Sequence, residues 1–465
     1  MSTITTRGDD LATLRASVTG DVLLAGDAGY AEAASCYNLA IQHRPAVLVV
    51  AADTSDVAAA VRFATTNDHP IAIHATGHGV ARPSDGGVLI VMSRLTGVQV
   101  DPVSRTARIE GGAKWAAVMP LATEHGLAPL VGSTTDVGAV GYTLGGGFGW
   151  LGRRYGLSSD AVRWFDLVTA SGEELRASAD ENPEVFWALK GGGGGSLGVV
   201  TAMEIELFPV TEVYAGNLLY PAFMARDVIR RWRDWSARQD ERLTSSFVLM
   251  NFPPLDEVPE PLRGQSFVMV RGCWSGDLDE GAAIIDEWRE WRPPVMDMFG
   301  RMPFAMNDMI SQDPPDPMPA MVSTEWFDEL EDEAVEVLVR AGLPEPGRPP
   351  MLVMTEVRHA GGAVKRNAAG AANDRGRSGE LLLEMVGIVV SPHAGLALEA
   401  HLRHTRKALA PFVTGATYLN FTEGEEKQHR TASAFSPHHL ARLQAVKAVL
   451  DPDDVFCHGF AIPQG

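Results

Sequence analysis

IAIHATGHG, residues 71–79, sets the reading of this chain. Ile71–His74 is a short apolar run of strand type, and Ala75–Gly79 follows it with small residues. VLIVM at 88–92 then resumes the strand pattern. A strand that opens into small residues lets successive backbone N–H groups turn toward one point, a concavity suited to pyrophosphate oxygens. Upstream, VLVVA (47–51) is another apolar run. Asp53-Thr54-Ser55 offers helix-capping side chains after it, and Val57, Val61 and Ala64 recur at helical spacing. Beyond residue 160 the outline repeats: VRWFDLVTA reads as strand, PEVFWALK as helix and VVTAMEIELF as strand. Residues 45–210 therefore form two consecutive lobes of mixed helix and strand.

Two further glycine-dense stretches lie in those lobes, VGSTTDVGAVGYTLGGGFGW (131–150) and the run at 191–195. The run sits between strongly patterned segments, so close backbone approach to a ligand explains it better than a flexible linker does. Both stretches contain GxGxxG matches, at Gly147–Gly152 and Gly193–Gly198. A dinucleotide fingerprint needs a strand before it and a helix opening on its last glycine. The second match follows a helix and precedes a strand, and the first runs into RRYGLSSD, which soon breaks. Neither is a Rossmann turn. Gly194-Gly195-Ser196-Leu197-Gly198 also matches a nucleophile elbow, which would make Ser196 the nucleophile of a hydrolase, but the strand–turn–helix context is missing there too.

The composition narrows the partners. The 465 residues carry 39 basic and 59 acidic side chains, a formal charge of −20 that disfavours nucleic acid and anionic membrane surfaces. Cys36, Cys273 and Cys457 are too scattered for a disulfide framework or a zinc knuckle, and no metal site is expected. The first residues contain no apolar h-region and no run reaches membrane-spanning length, which points to a cytoplasmic protein.

From about residue 211 proline clusters (FPPLDEVPEPL, DPPDPMPA) interrupt mixed signals, and KRNAAGAANDRGRSGE (365–380) reads as a mobile loop. Seven of the 17 methionines lie between Met296 and Met321, either as core filler or as an adaptable substrate wall. Regularity returns where Ser436-Pro437 starts a helix that Asp451-Pro452 stops.

The motifs, taken in order, resemble the FAD-linked oxidases of the vanillyl-alcohol oxidase type, and within them the berberine bridge enzyme-like family. The likeness runs through RPAVLVVAADTSDVAAAVRFA, ATGHG, GYTLGGGFGWLGRRYGLSSDAV, NPEVFWALKGGGGGSLGVVT, YLNF and LDPDDVF. It implies an α+β fold: a two-subdomain FAD-binding module (PCMH-type) at 1–210 and a substrate domain at 211–412, with 413–465 returning to the FAD-binding module. The substrate domain would be an antiparallel sheet covered by helices.

The resemblance also assigns residues. FAD would contact His74, Ala75, Thr76, Gly77, His78 and Gly79 in the first loop. In the second loop it would meet Ser133, Thr134, Gly138, Gly141, Tyr142, Gly145 and Gly146. Asp160, Gly198, Val199, Tyr418 and Asn420 complete the set. His78 would carry the flavin covalently, as the single link, because Thr134 stands where some relatives place a second, cysteine link. Many relatives have an arginine and further glycines where this chain has His74, Ala75 and Thr76, which leaves phosphate contacts to backbone groups. CHGFAIP (457–463) also departs from the usual ending.

The implied activity is oxidation of a small organic substrate, with molecular oxygen as the simplest acceptor. The alternative within the family is a flavin-containing cyclase or isomerase without net redox. Methionine- and proline-rich segments favour an apolar secondary metabolite. Tyr418 is the leading candidate for the base, on a strand whose alternation would put Asn420 on the same face. Tyr142, Glu356 and His359 are its competitors.

Overall fold

The computed structural model describes residues 8–463 apart from Ala81 and Pro346. Three sheets organise the chain. The first has strands β1 (Asp21–Leu23), β2 (Val47–Val50), β3 (Ile71–His74) and β4 (Val88–Val91), in the order β1-β2-β4-β3. β4 pairs in parallel with both β2 and β3. Strands covered on both faces read as continuous apolar runs, and β2 and β4 are buried at every position. The helix Thr54–Thr66 starts on Asp53, whose side chain accepts the Asp56 N–H, and buries Val57, Val61 and Ala64.

The second sheet is antiparallel, ordered β5-β6-β9-β7-β8. Its strands are β5 (Val98–Asp101), β6 (Thr106–Glu110), β7 (Val162–Val168), β8 (Glu174–Ser178) and β9 (Val199–Glu206). Helices Trp115–Thr123, Ala139–Leu144 and Pro183–Leu189 accompany it, and Trp115, Phe165 and Leu189 share its core.

The third sheet is the largest, with eight antiparallel strands. They are β10 (Glu212–Pro221), β11 (Leu243–Asn251), β12 (Ser266–Trp274), β13 (Met296–Asp297), β14 (Gly300–Pro303), β15 (Ala320–Phe327), β16 (Met354–His359) and β17 (Leu381–Ile388). The order is β13-β10-β12-β11-β16-β17-β15, and β14 also pairs with β10. Period-two alternation sorts its side chains. Phe247, Leu249, Val268, Val270, Val357 and Leu383 form a core with Trp232, Trp235 and Trp288 of the covering helices. The other face looks into a cavity.

The C-terminal segment packs back on the first two lobes. Its helix, Pro437–Leu450, begins on Ser436, whose hydroxyl accepts the His439 N–H, and stops at Asp451. Its Arg442 makes a bidentate pair with Glu184, and beyond the helix Val455 accepts the Ile71 N–H at the start of β3.

Three expectations need correcting. Residues 365–380 are not an irregular surface loop: short helical turns occupy much of the segment, and Asn373 and Arg377 are fully buried. Arg377 pairs there with Asp160, which also accepts hydrogen bonds from Leu157 N and Asn367. Asp160 is thus an internal counter-ion that does not line the cavity. Finally, Tyr418 and Asn420 lie on no strand, because Leu419–Phe421 is a 3-10 turn.

Removing one partner of a buried ion pair strands the other charge. Arg377→Met should therefore lower the unfolding free energy by about 3–5 kcal/mol in a denaturant titration.

Candidate active site

One cavity of about 1350 Å³ connects the cleft between the first two sheets with the inner face of the third. The β3–β4 loop supplies one wall, with His74 through Gly79 all lining it. Gly77 holds φ of 73°, and a Cβ there would lie 2.1 Å from Cys36 Cβ. His78 is stacked on Tyr37 with ring centroids 3.8 Å apart. Its Nδ1 is 2.7 Å from Thr76 Oγ1, and its Nε2 is 3.7 Å from Asp136 Oδ2. Burial lowers its pKa to about 4, against the opposing pull of Asp136, so the imidazole is neutral at pH 7.

The second glycine loop supplies another wall through Ser133, Thr134, Gly138, Gly141 and Tyr142. Gly145 and Gly146 do not line the cavity; they make room for other side chains. A Cβ on Gly145 would lie 1.6 Å from Asn420 Oδ1, and one on Gly146 would crowd Asn373, Leu157 and Tyr418. Gly198 lines the cavity, whereas Val199 is core and its neighbour Val200 takes the lining place. In the five-glycine run Gly194 and Gly195 face the cavity. Gly191 and Gly193 instead admit Asn373 and Phe460.

Tyr142 has its hydroxyl buried against the cavity without a hydrogen-bond partner among the described residues. Asn420 lines the cavity and donates to the Tyr142 carbonyl at 2.9 Å. Tyr418 is fully buried outside the lining, and its hydroxyl oxygen accepts the Phe148 N–H at 2.7 Å. Burial holds its pKa far above the ordinary phenol range. Tyr418 is therefore placed to fix the glycine loop, not to meet a substrate.

Register explains the third wall. Arg271, Ser246, Arg358 and Leu382 form one cross-strand row, and Val248, Glu356, Glu384 and Thr324 form the next. Phe267, Met250, Met354, Val386 and Val322 form the third. Arg358 Nη2 donates to Glu356 Oε2 at 2.8 Å, and Arg271 Nη1 is 3.6 Å from Glu356 Oε1. Burial alone would raise the Glu356 pKa, but Arg358 and then Arg271 outweigh it and keep the carboxylate ionised. Glu384 goes the other way: burial, then the charge of Glu356, push it well up. Sequence reading missed Glu384 and Arg358; the alternation of TEVRH and LLLEMVGI was their available signal.

Two alternative roles find no support in the geometry. Ser196 is buried and donates its hydroxyl proton to the Phe460 carbonyl at 2.6 Å, which leaves no free, base-activated nucleophile. Only Met318 of the methionines between 296 and 321 lines the cavity; Met92, Met250, Met351 and Met354 do so instead. Among the described residues no cluster is arranged to hold a metal ion, and no helix is long and apolar enough to cross a membrane.

Comparison with known proteins identifies two parts of the chain. Residues 45–178 match the profile described as FAD binding domain, and residues 417–463 match that of berberine and berberine like proteins. The chain thus carries an FAD-binding module and a berberine-like C-terminal segment. It is 30% identical over 238 residues to an uncharacterised FAD-linked oxidoreductase, YgaK, of Bacillus subtilis, covering 50% of this chain and 53% of that one. It is 35% identical over 195 residues to (R)-6-hydroxynicotine oxidase of Paenarthrobacter nicotinovorans, covering 41% and 42%. The matched stretches thus span about half the length of these relatives. The crystal structure of 6-hydroxy-D-nicotine oxidase from Arthrobacter nicotinovorans superposes with a TM-score of 0.82 at 24% identity, covering 96% of this chain and 98% of that one. The fold is therefore of the α+β PCMH type.

His359 does not line the cavity. Burial, then Arg153, lower its pKa to about 3. Between that value and the unfolded value near 6.5 the unfolded chain binds more protons, so stability must fall as pH falls. At pH 5 the penalty from His359 is about 2 kcal/mol. Calorimetry of His359→Phe should show a shallower loss of stability from pH 7 to 5 than the parent shows.

Proposed function

We propose that the chain is an FAD-dependent oxidoreductase, an oxidase acting on a small organic substrate with an apolar body, with FAD attached through His78 as its single link. One observation carries this reading. The same cavity has a glycine-lined cleft with backbone and imidazole donors at one side and a paired-carboxyl wall at the other. Its lining fits a long dinucleotide: small residues at the close approaches, and buried polar atoms such as Tyr142 Oη that lack a protein partner. Bound FAD supplies a two-electron acceptor, and the protein positions the substrate and moves its proton.

His78 suits the attachment. Asp136 near Nε2 favours the proton on that nitrogen, which leaves the Nδ1 lone pair beside the Thr76 hydroxyl. A neutral imidazole is a competent nucleophile. Thr134 offers an alcohol, a far weaker nucleophile than a thiolate. Hence the single link.

For the proton, Glu356 replaces Tyr418 as the base. It lines the cavity, is ionised, and keeps Oε1 without a hydrogen-bond partner. Its cross-strand neighbour Glu384, held protonated, can donate a hydrogen bond that orients the substrate. Two carboxyls pushed apart in pKa divide acid and base duties between them. Beyond them Met250, Met354, Val386 and Ile388 form an apolar wall that reaches exposed Leu255 and Met351 at the rim. This supports an apolar substrate body. Oxygen as acceptor is supported by the oxidase names of relatives.

Acid precipitation should leave yellow flavin in the pellet for the parent and in the supernatant for His78→Ala. A tryptic digest should give one flavin-bearing peptide, the one containing His78; a second, from 131–150, would contradict the single link. Glu356→Gln should slow anaerobic flavin reduction by about 10²–10⁴-fold while flavin stays bound. Tyr418→Phe should have a much smaller effect. Absence of substrate-dependent flavin bleaching would favour the non-redox cyclase instead.

A further inference from the structure

Four basic side chains stand apart from the proton-handling wall, and all line the cavity: His43, His74, Arg82 and His458. They come from separate segments, before β2, at the end of β3, in the β3–β4 connection and in the C-terminal tail. The His43 and His74 rings lie 5.5 Å apart. Ser84 engages His43 Nδ1 through its N–H at 3.1 Å. Yet His43 Nε2, His74 Nδ1 and Arg82 Nε are buried without a hydrogen-bond partner among the described residues, and His458 has only the Pro83 carbonyl within reach of its ring. Unpartnered buried polar atoms are costly and rare. Several on one cavity wall mark the place of a polar ligand.

The ligand's charge follows from the wall. The acidic group acting on this cluster is Asp85, an exposed side chain that already accepts the Arg44 N–H. A wall of potential cations on which, among the described residues, no buried acid acts suits an anion.

We propose that His43, His74, Arg82 and His458 form a side-chain pocket for the diphosphate of FAD, in which the imidazoles donate hydrogen bonds to phosphate oxygens. The inference rests on the FAD reading above. It also amends the expectation that phosphate contacts are left to backbone groups. Burial, then nearby positive charge, keep His74 near a pKa of about 3 and His458 near about 4, and burial lowers His43. At His458 Arg82 and His43 add to the lowering, and the Pro83 carbonyl and then Asp85 oppose it. The imidazoles are then neutral at pH 7 with one N–H each to donate, and the charge of a bound diphosphate raises their pKa and favours proton uptake.

The test is calorimetry on flavin-free full-length His78→Ala protein, which cannot form the link, in two buffers of different ionisation enthalpy at pH 7. FAD and ADP should bind with net proton uptake, and riboflavin, which lacks phosphate, with none. Adding His74→Ala or His458→Ala should weaken FAD and ADP by about tenfold or more and leave riboflavin unchanged. His74→Arg should keep FAD affinity with less proton uptake. FAD and ADP binding undiminished in the alanine variants, or equal weakening of riboflavin, would overturn the pocket. Where an alanine variant fails to fold, His74→Gln and His458→Gln, which change the ring donors for an amide, give the same comparison of ADP with riboflavin. If none of the three ligands binds, the FAD reading itself falls, and the pocket with it.

Discussion

Three parts of the chain meet on one peptide backbone, that of Phe148. Its N–H donates to Tyr418 of the C-terminal segment, and its C=O accepts from Arg358 of the third sheet. Arg358 lies over the rings of Phe148 and Trp150, and Asn420 adds a bond to the Tyr142 carbonyl in the same loop. The Asn420 bond is impossible with a side chain at Gly145, where Asn420 already occupies the space a Cβ would need. The glycine loop is thus a joint before it is a ligand surface. Buried, charge-assisted hydrogen bonds of this kind are among the stronger ones, and they fix the cavity walls relative to one another.

The strands of the first two sheets were legible because their apolar runs are short, β-branched and bounded by small or polar residues. The first loop was legible for the same reason: its small residues sit between two unmistakable strands. The second loop was harder. Glycine content announced close approach but could not say whether a cofactor or a neighbouring side chain was approaching, and at Gly145 and Gly146 it is Asn420 and Tyr418. Polar composition misled at 365–380, where Arg377 is soluble-looking in sequence but is wholly buried on Asp160. The partner lies 217 residues away, beyond the reach of any local pattern. Tyr418 was misjudged for a related reason. YLNF alternates like a strand, yet a 3-10 turn turns the tyrosine into the protein and the asparagine toward the cavity.

The third sheet shows how a register writes a chemical gradient. Moving along the strands from the Arg358 row to the Met354 row, the cavity face passes from guanidinium through carboxyl to thioether and aliphatic groups. A slip of one residue in β16 would put Val357 in this face and send Glu356 and Arg358 into the tryptophan-rich core. The cost of burying those charges without partners is itself a strong selector of the register. The electrostatic pattern is therefore a folding instruction as well as a binding surface.

The closing wall has a temporal consequence. His458, Gly459 and Phe460 border the same cavity as His43 and the loop at His74–Gly79, and Gly459 packs directly against Gly195. Synthesis proceeds from the N-terminus, and lobes emerging early can fold as units while the rest is still being made. The first two lobes can thus form on the ribosome with their cleft open along one side. Only when the tail past residue 460 has cleared the exit tunnel can that side be sealed. Cofactor capture in its final form waits on the last-made wall of the cavity, and a nascent chain stalled short of it would present an open cleft to the cell.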